Sequence, residues 1–168
     1  MSELIEQLHR YVPNLRRYAR ALTRNATQSD DLVQDCLERA LSRQHLWKPG
    51  GNTRAWLFTI MHNIHANQTR RAGRRPDSAP LDEFDERHSQ PATQTSRLAG
   101  LELAAAMEAL PAEQRQVILL VALEGMSYGE IAEAVGVAPG TVMSRLSRGR
   151  ARLRQLMEQE ASSLRLVK

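Results

Sequence analysis

Five arginines crowd into GTVMSRLSRGRARLR, residues 140–154, at positions Arg145, Arg148, Arg150, Arg152 and Arg154, with no acid among them. On a helix turning about 100° per residue, Thr141, Arg145, Arg148 and Arg152 fall within about 60° of one another. Val142, Leu146, Gly149, Leu153 and Leu156 form a separate stripe roughly a quarter-turn away. The segment can therefore bury one face and present Thr and Arg on another. A helix lying in a DNA major groove needs this division, because guanidinium groups donate in pairs to guanine edges or to phosphates. Arg150 and Arg154 lie further round, suited to phosphates or to water. A basic helix alone is as often a solvated surface. Here, though, SYGEIAEAVGVAPGTVMSRL supplies the rest of a helix-turn-helix. Ser127 and Glu130 form a capping box, Ile131, Ala132 and Val135 point inward, Gly136 permits the turn and Val137 plugs it. The apolar stripe carries no aromatic residue and is needed for packing, which argues against a membrane-surface helix.

A second constellation is NTRAWLFTIMHNIHANQTRRAGRR, residues 52–75. It opens with Trp56 and Phe58, ends with Arg70, Arg71, Arg74 and Arg75, and carries Asn63 and Asn67; Trp47 lies just upstream. Aromatic faces beside cations are what single-stranded bases need, and amides can read the edge of an unstacked base. The competing expectation is core, which is favoured for Trp56. Asp31, Asp35 and Glu38 make an acidic stripe at i, i+4 and i+7, either a solvated face or a surface for a basic partner. Nothing points to catalysis: there is no Ser/His/Asp set, no phosphate-cradling glycine loop and no convincingly spaced carboxylate pair. His62 and His65 sit three apart, yet no further ligand set completes a metal site, so no metal or cofactor is expected. Cys36, the single cysteine, falls on an apolar helix face and cannot form an internal disulfide.

These groups are positioned by helices. Apolar residues recur at helical spacing nearly throughout, and no segment alternates as strands do. An amphipathic helix over residues 4–24 is expected to break at Pro13. The next, around DDLVQDCLERAL, should be capped within residues 27–30 and bury Leu32, Val33, Cys36, Leu37, Ala40 and Leu41. The third runs from residue 53 to Gly73. Residues 76–96 hold five acids and one arginine, with several prolines and no apolar period, and read as a flexible acidic linker. Helices resume from Arg97, with Pro111 placed to start one of them. The expected fold is all-α: two small helical domains, 1–75 and 97–168, joined by the 76–96 linker. Charge is uneven, with 13 Lys/Arg against six Asp/Glu in residues 1–75 and nine against eight in residues 97–168. Two positive blocks around an acidic one suggest two contacts with a polyanion. The longest compact apolar run, VILLVAL at 117–123, falls short of the roughly 18–20 residues of a membrane span, and MSELIEQLHR is unlike a secretory signal. A cytoplasmic protein that does not insert in membranes is expected.

In this order, DDLVQDCLERAL, TRAWLFTIMHNIHANQTRR and LPAEQRQVILLVALEGMSYGEIAEAVGVAPGTVMSRLSRGRARLR resemble the extracytoplasmic-function (ECF) sigma factors of bacterial RNA polymerase. The resemblance covers nearly the whole chain. It implies a non-enzymatic initiation factor whose N-terminal domain binds core polymerase and opens the −10 element, while the C-terminal helix-turn-helix reads the −35 duplex. By the same resemblance Asp31, Leu32, Gln34, Asp35 and Glu38 dock on the clamp helices of the polymerase's largest subunit. Trp47, Trp56, Asn63, Asn67, Arg70 and Arg71 serve the −10 element, with Asn63 and Trp47 matching the pocket for a flipped base. Thr141, Ser144, Arg145, Arg148 and Arg152 serve the −35 element. An anti-sigma partner is expected, and the linker is expected to thread toward the polymerase active centre. The family often carries a basic residue between the two asparagines, where this chain has Ile64, His65 and Ala66, so its promoter sequence does not follow from the family consensus. The rival expectation is a two-domain helix-turn-helix regulator acting without polymerase, which leaves the acidic stripe and the aromatic–basic block without a role.

Overall fold

The computed structural model of the chain describes residues 1–73 and 93–166. Among them are seven α-helices and no strand: α1 (Ser2–Thr23), α2 (Ala26–Ser42), α3 (Thr53–Ala72), α4 (Gln94–Glu108), α5 (Ala112–Ala122), α6 (Tyr128–Val135) and α7 (Pro139–Leu166). A short 3-10 turn, Gln44–Leu46, separates α2 from α3. Most of the expected 76–96 linker lies outside the described residues. Its last three positions, 94–96, are already helical, because the Thr93 hydroxyl accepts from the Ser96 amide and starts α4 earlier than the apolar pattern suggested.

The first three helices pack around Leu15, Tyr18, Leu32, Cys36, Leu57 and Met61. The Tyr18 and Phe58 rings meet edge to face, with centroids 5.2 Å apart and planes at 87°. Two local expectations change. Helix α1 runs straight through Pro13 rather than breaking there. Pro13 is exposed, so water can serve the carbonyl its missing N–H leaves free, while buried residues on both sides keep the register. Helix α2 is capped by Asn25, whose side chain accepts from the Gln28 amide at 2.9 Å, so residues 27–30 lie inside the helix. Leu41, expected on the buried face, is 41% exposed, while Ala40 beside it in the last turn of α2 is fully buried.

In the second half the helix-turn-helix forms as its sequence indicates. The Ser127 hydroxyl accepts from the Glu130 amide and the Glu130 carboxylate accepts from the Ser127 amide, closing the capping box. Gly136 takes the left-handed conformation, φ 73°, that ends α6. Val142, Leu146 and Gly149 are the buried residues of α7. Gly149 lets α7 approach α5: a Cβ there would lie 2.8 Å from Ile118 Cδ1 and 3.2 Å from Gln114 Cβ.

The two halves are not separate bodies in this structure. Helix α6 packs along α3 and α1 packs against α5, and one apolar cluster includes buried residues of both halves. Substituting Gly149→Val forces both neighbours to move, the Gln114 Cβ being fixed by its own helix. The expected loss is about 1–3 kcal/mol of stability, the usual cost of overpacking, measurable by urea unfolding.

Candidate nucleic-acid and polymerase interfaces

The residues of the expected reading edge on α7 differ in exposure. Ser144, Arg148 and Arg152 are exposed, while Thr141 and Arg145 are half-buried. Arg148 is steadied along the helix by Ser144, its Nη2 donating to Oγ at 3.4 Å and its Nε to the carbonyl at 3.3 Å. Arg152 Nη1 donates to Gln155 Oε1 at 3.2 Å. Arg150 and Arg154 lie elsewhere on the helix and are exposed. The exposed members form one edge over a buried stripe, a geometry that fits a groove of phosphates and base edges.

On α3 the groups divide differently. Asn63, Asn67, Arg70 and Arg71 are all exposed, and Arg70 Nη2 donates to Asn67 Oδ1 at 3.0 Å. Phe58 is core. Trp56 and Trp47 are half-buried against the cluster, each leaving part of its ring in solvent. Trp47 is pinned by its Nε1–H donating to Thr53 Oγ1 at 2.9 Å, which fixes the ring beside the start of α3. Sequence alone could not supply that bond, because Thr53 read only as the first residue of a helix.

The acidic stripe of α2 is present: Asp31, Gln34, Asp35 and Glu38 are all exposed along one side. Gln34 Nε2 donates to Glu38 Oε1 at 3.0 Å, and Gln68 Nε2 of α3 donates to Asp35 Oδ2 at 3.3 Å. Leu32 corrects the expected contact set. It is 0% exposed, so it holds the stripe in place from inside the core and cannot touch a partner. Cys36 is likewise buried; burial pushes its thiol up to about 12, and its Sγ–H points to the Leu57 carbonyl at 3.5 Å. No group of three or more His, Cys, Asp or Glu able to hold a metal occurs among the described residues. No helix among them is long and apolar enough to cross a membrane.

His62 and His65 belong to the junction of the halves. Burial lowers both imidazole pKa values; the charge of Arg145 adds to this at His62, and His62 and Arg115 add to it at His65. Residues the sequence reading missed also sit at this junction. Asn14 Nδ2 donates to Glu124 Oε2 at 2.8 Å, and Arg17 donates to Glu124 Oε1 through Nη2 at 3.0 Å and Nε at 3.3 Å. Arg54 Nη2 donates to both Glu130 carboxylate oxygens, at 3.3 and 3.2 Å, and its Nη1 donates to the Glu124 carbonyl at 2.9 Å. Asn52 also donates to Glu130, and Arg24 pairs with Glu108 at 2.9 Å.

An arginine edge, an aromatic–amide face and an acidic stripe carried on helices fit a protein that binds DNA and a protein partner. Known proteins agree. Residues 8–62 match the family described as the Sigma2 domain of PhyR, and residues 100–153 match Sigma-70, region 4. The ECF RNA polymerase sigma factor EcfG of Rhodopseudomonas palustris (strain TIE-1) is 40% identical over 87% of this chain and 80% of its own length. The sigma factor RpoE from Bartonella quintana, solved in complex with the anti-sigma factor NepR, superposes with TM-score 0.79 at 32% identity, covering 94% of this chain and 98% of that one. CnrH, solved in complex with the cytosolic domain of CnrY, superposes with TM-score 0.67 at 28% identity, covering 92% and 86%. This chain belongs to the ECF RNA polymerase sigma factors. It is a non-enzymatic factor that directs promoter recognition by RNA polymerase, which replaces the reading as a regulator independent of polymerase.

The histidines give a pH signature. In the folded chain they resist protonation, whereas in the unfolded chain they titrate near their ordinary value of about 6.5. The unfolded state therefore takes up protons first, and their contribution to stability is full above about pH 6.5 and lost as pH falls below it. The melting temperature should drop between about pH 7 and 5.5, and His62→Gln with His65→Gln should flatten that drop in a calorimetric series.

Proposed function

We propose that residues 1–75 bind core polymerase and open the −10 element, and that residues 97–168 read the −35 element as duplex. The observation that carries this is the separation of exposures on α7, with Arg148, Arg152 and Ser144 open above the buried Val142, Leu146 and Gly149. Arg145 and Thr141 complete the reading edge. Asn63, with Trp47 fixed beside the start of α3, captures a flipped base, while Trp56, Asn67, Arg70 and Arg71 hold the displaced strand. Asp31, Gln34, Asp35 and Glu38 dock on the clamp helices of the polymerase's largest subunit, with Leu32 supporting them from within. Strand opening draws on the binding of flipped bases and backbone, without nucleotide hydrolysis. The likeness to RpoE in its complex with NepR supports an anti-sigma partner for this chain. A factor that acts with core polymerase works in the cytoplasm.

Run-off transcription with core polymerase and promoter fragments selected by the protein tests the assignment. Arg145→Ala with Arg148→Ala should weaken −35 recognition by about 1–3 kcal/mol for each bidentate hydrogen-bonded pair to a base that the substitutions remove. Unchanged promoter-specific initiation would exclude these residues from the reading edge. Asn63→Ala should leave duplex binding intact and reduce permanganate reactivity of −10 thymines. Equal reactivity in both proteins would assign base capture elsewhere.

A further inference from the structure

Residues 43–52, which carry the chain from α2 into α3, are exposed throughout except for the half-buried Trp47. Little core holds this connection in shape, and short backbone ties order it instead. The Leu46 amide donates to the Arg43 carbonyl at 2.9 Å, and the Trp47 amide to the Gln44 carbonyl at 3.1 Å. The Gly51 amide donates to the Lys48 carbonyl at 3.0 Å, closing a turn with Pro49 second and Gly50, at φ 75°, third. Each of these bonds spans three residues. A side-chain bond reaches further: Trp47 Nε1–H donates to Thr53 Oγ1, six residues on, at 2.9 Å.

Thr53 is the first residue of α3 and only 6% exposed, yet the start of the helix does not need its hydroxyl. Asn52 is the cap, its side chain accepting from the Ala55 amide at 3.0 Å. The Thr53 amide is satisfied as well, donating to the Gly51 carbonyl at 3.0 Å. A valine would fill the same space; what threonine adds is an acceptor for the indole. That bond has a chemical consequence. An indole has one donor and no acceptor, so Trp47 spends its only hydrogen bond inside the protein. While tied, the ring can offer a base a stacking face but no hydrogen bond. We propose that Thr53 is a positioning residue for strand opening: its hydroxyl holds the Trp47 ring at a fixed angle for the flipped base and leaves the base edge to Asn63. The proposal rests on the assignment of Trp47 and Asn63 to the −10 element. A ring fixed beforehand gives up little rotamer freedom when a base stacks on it, so the bond acts at opening and not at duplex binding.

Full-length Thr53→Val, with core polymerase and promoter fragments selected by the protein, tests this role. The variant should bind polymerase and promoter duplex as the wild type does, while permanganate reactivity of −10 thymines falls about fivefold, the worth of one net hydrogen bond. Thr53→Ser keeps the acceptor and should restore reactivity; a serine variant as impaired as the valine one overturns the proposal. In solution NMR the Trp47 indole N–H, assigned by its loss in Trp47→Phe, should exchange with solvent faster in Thr53→Val than in the wild type or Thr53→Ser. Equal exchange in all three overturns the tie itself. Trp47→Phe keeps a ring without a donor, so adding Thr53→Val to it should impair opening no further. Effects that multiply in the double variant show Thr53 acting independently of Trp47 and overturn the positioning role. Trp47→Ala separates this from the assignment beneath it. Unchanged opening in Trp47→Ala removes Trp47 from the −10 element and the role of Thr53 with it. Reduced opening in Trp47→Ala beside unchanged opening in Thr53→Val overturns the positioning role alone.

Discussion

A carboxylate with no exposed surface lies between the halves of this protein, and the arrangement of the helices depends on how it is satisfied. Glu124 follows α5 just ahead of Gly125. Stripping water from a carboxylate costs on the order of several kcal/mol, and attraction to a cation repays this only when the geometry is good and the remaining lone pairs are served. Both conditions are met from α1, by Asn14 on one oxygen and Arg17 on the other. Arg17 remains half in solvent, with 51% of its side chain exposed, so the net gain is well below the buried limit. The asymmetry matters more than the sum: the pair adds little when made, but a closed interface lacking its cation would trap a bare charge.

The same sharing of groups recurs at Glu130. A capping box is a local device, and Ser127 with Glu130 would stop α6 from fraying with or without a neighbour. The backbone bond to Ser127 is the largest influence holding the Glu130 carboxyl below the usual range, with Asn52 and Arg54 adding to it. Glu130 is therefore already ionised and oriented before the other half arrives, and the donors of Asn52 and Arg54 meet a fixed target that needs little further ordering. Preorganisation of this kind lets a small set of partly exposed contacts choose one docking geometry between two helical domains.

Sequence pattern carries the helices and the helix-turn-helix because their causes are local. The wheel of α7, the Ser-x-x-Glu box and the left-handed Gly136 each involve residues close together along the chain. The exposed amides of α3 and acids of α2 are legible for the same reason. The junction of the halves is not, since Asn14 and Glu124 are 110 positions apart and each alone is an ordinary polar residue. One signal is present. Apolar residues on α3 at 57, 58, 60, 61 and 64 span more of the helix than one neighbour covers, and in the structure α2 and α6 both pack on it. Leu32 shows the opposite limit: a family motif names a contiguous string, but a helix sends successive residues to different sides, so one member falls inside. Pro13 and Asn25 defeat the sequence pattern because a proline's cost depends on which face it occupies, and a cap depends on where the preceding turn leaves the chain.

The division of charge connects these levels. The first half carries a large excess of cations, which a polyanion-binding domain needs, and those cations would find any acid within reach. The second half supplies three carboxylates at the positions where the halves meet, so each of Arg17, Arg24 and Arg54 is occupied by a glutamate. Carboxylate and phosphate are recognised by the same guanidinium geometry, so arginines on a half rich in cations pair readily with glutamates brought against them. The interface can therefore be specific without being strong, since the cation of each pair keeps part of its side chain in solvent.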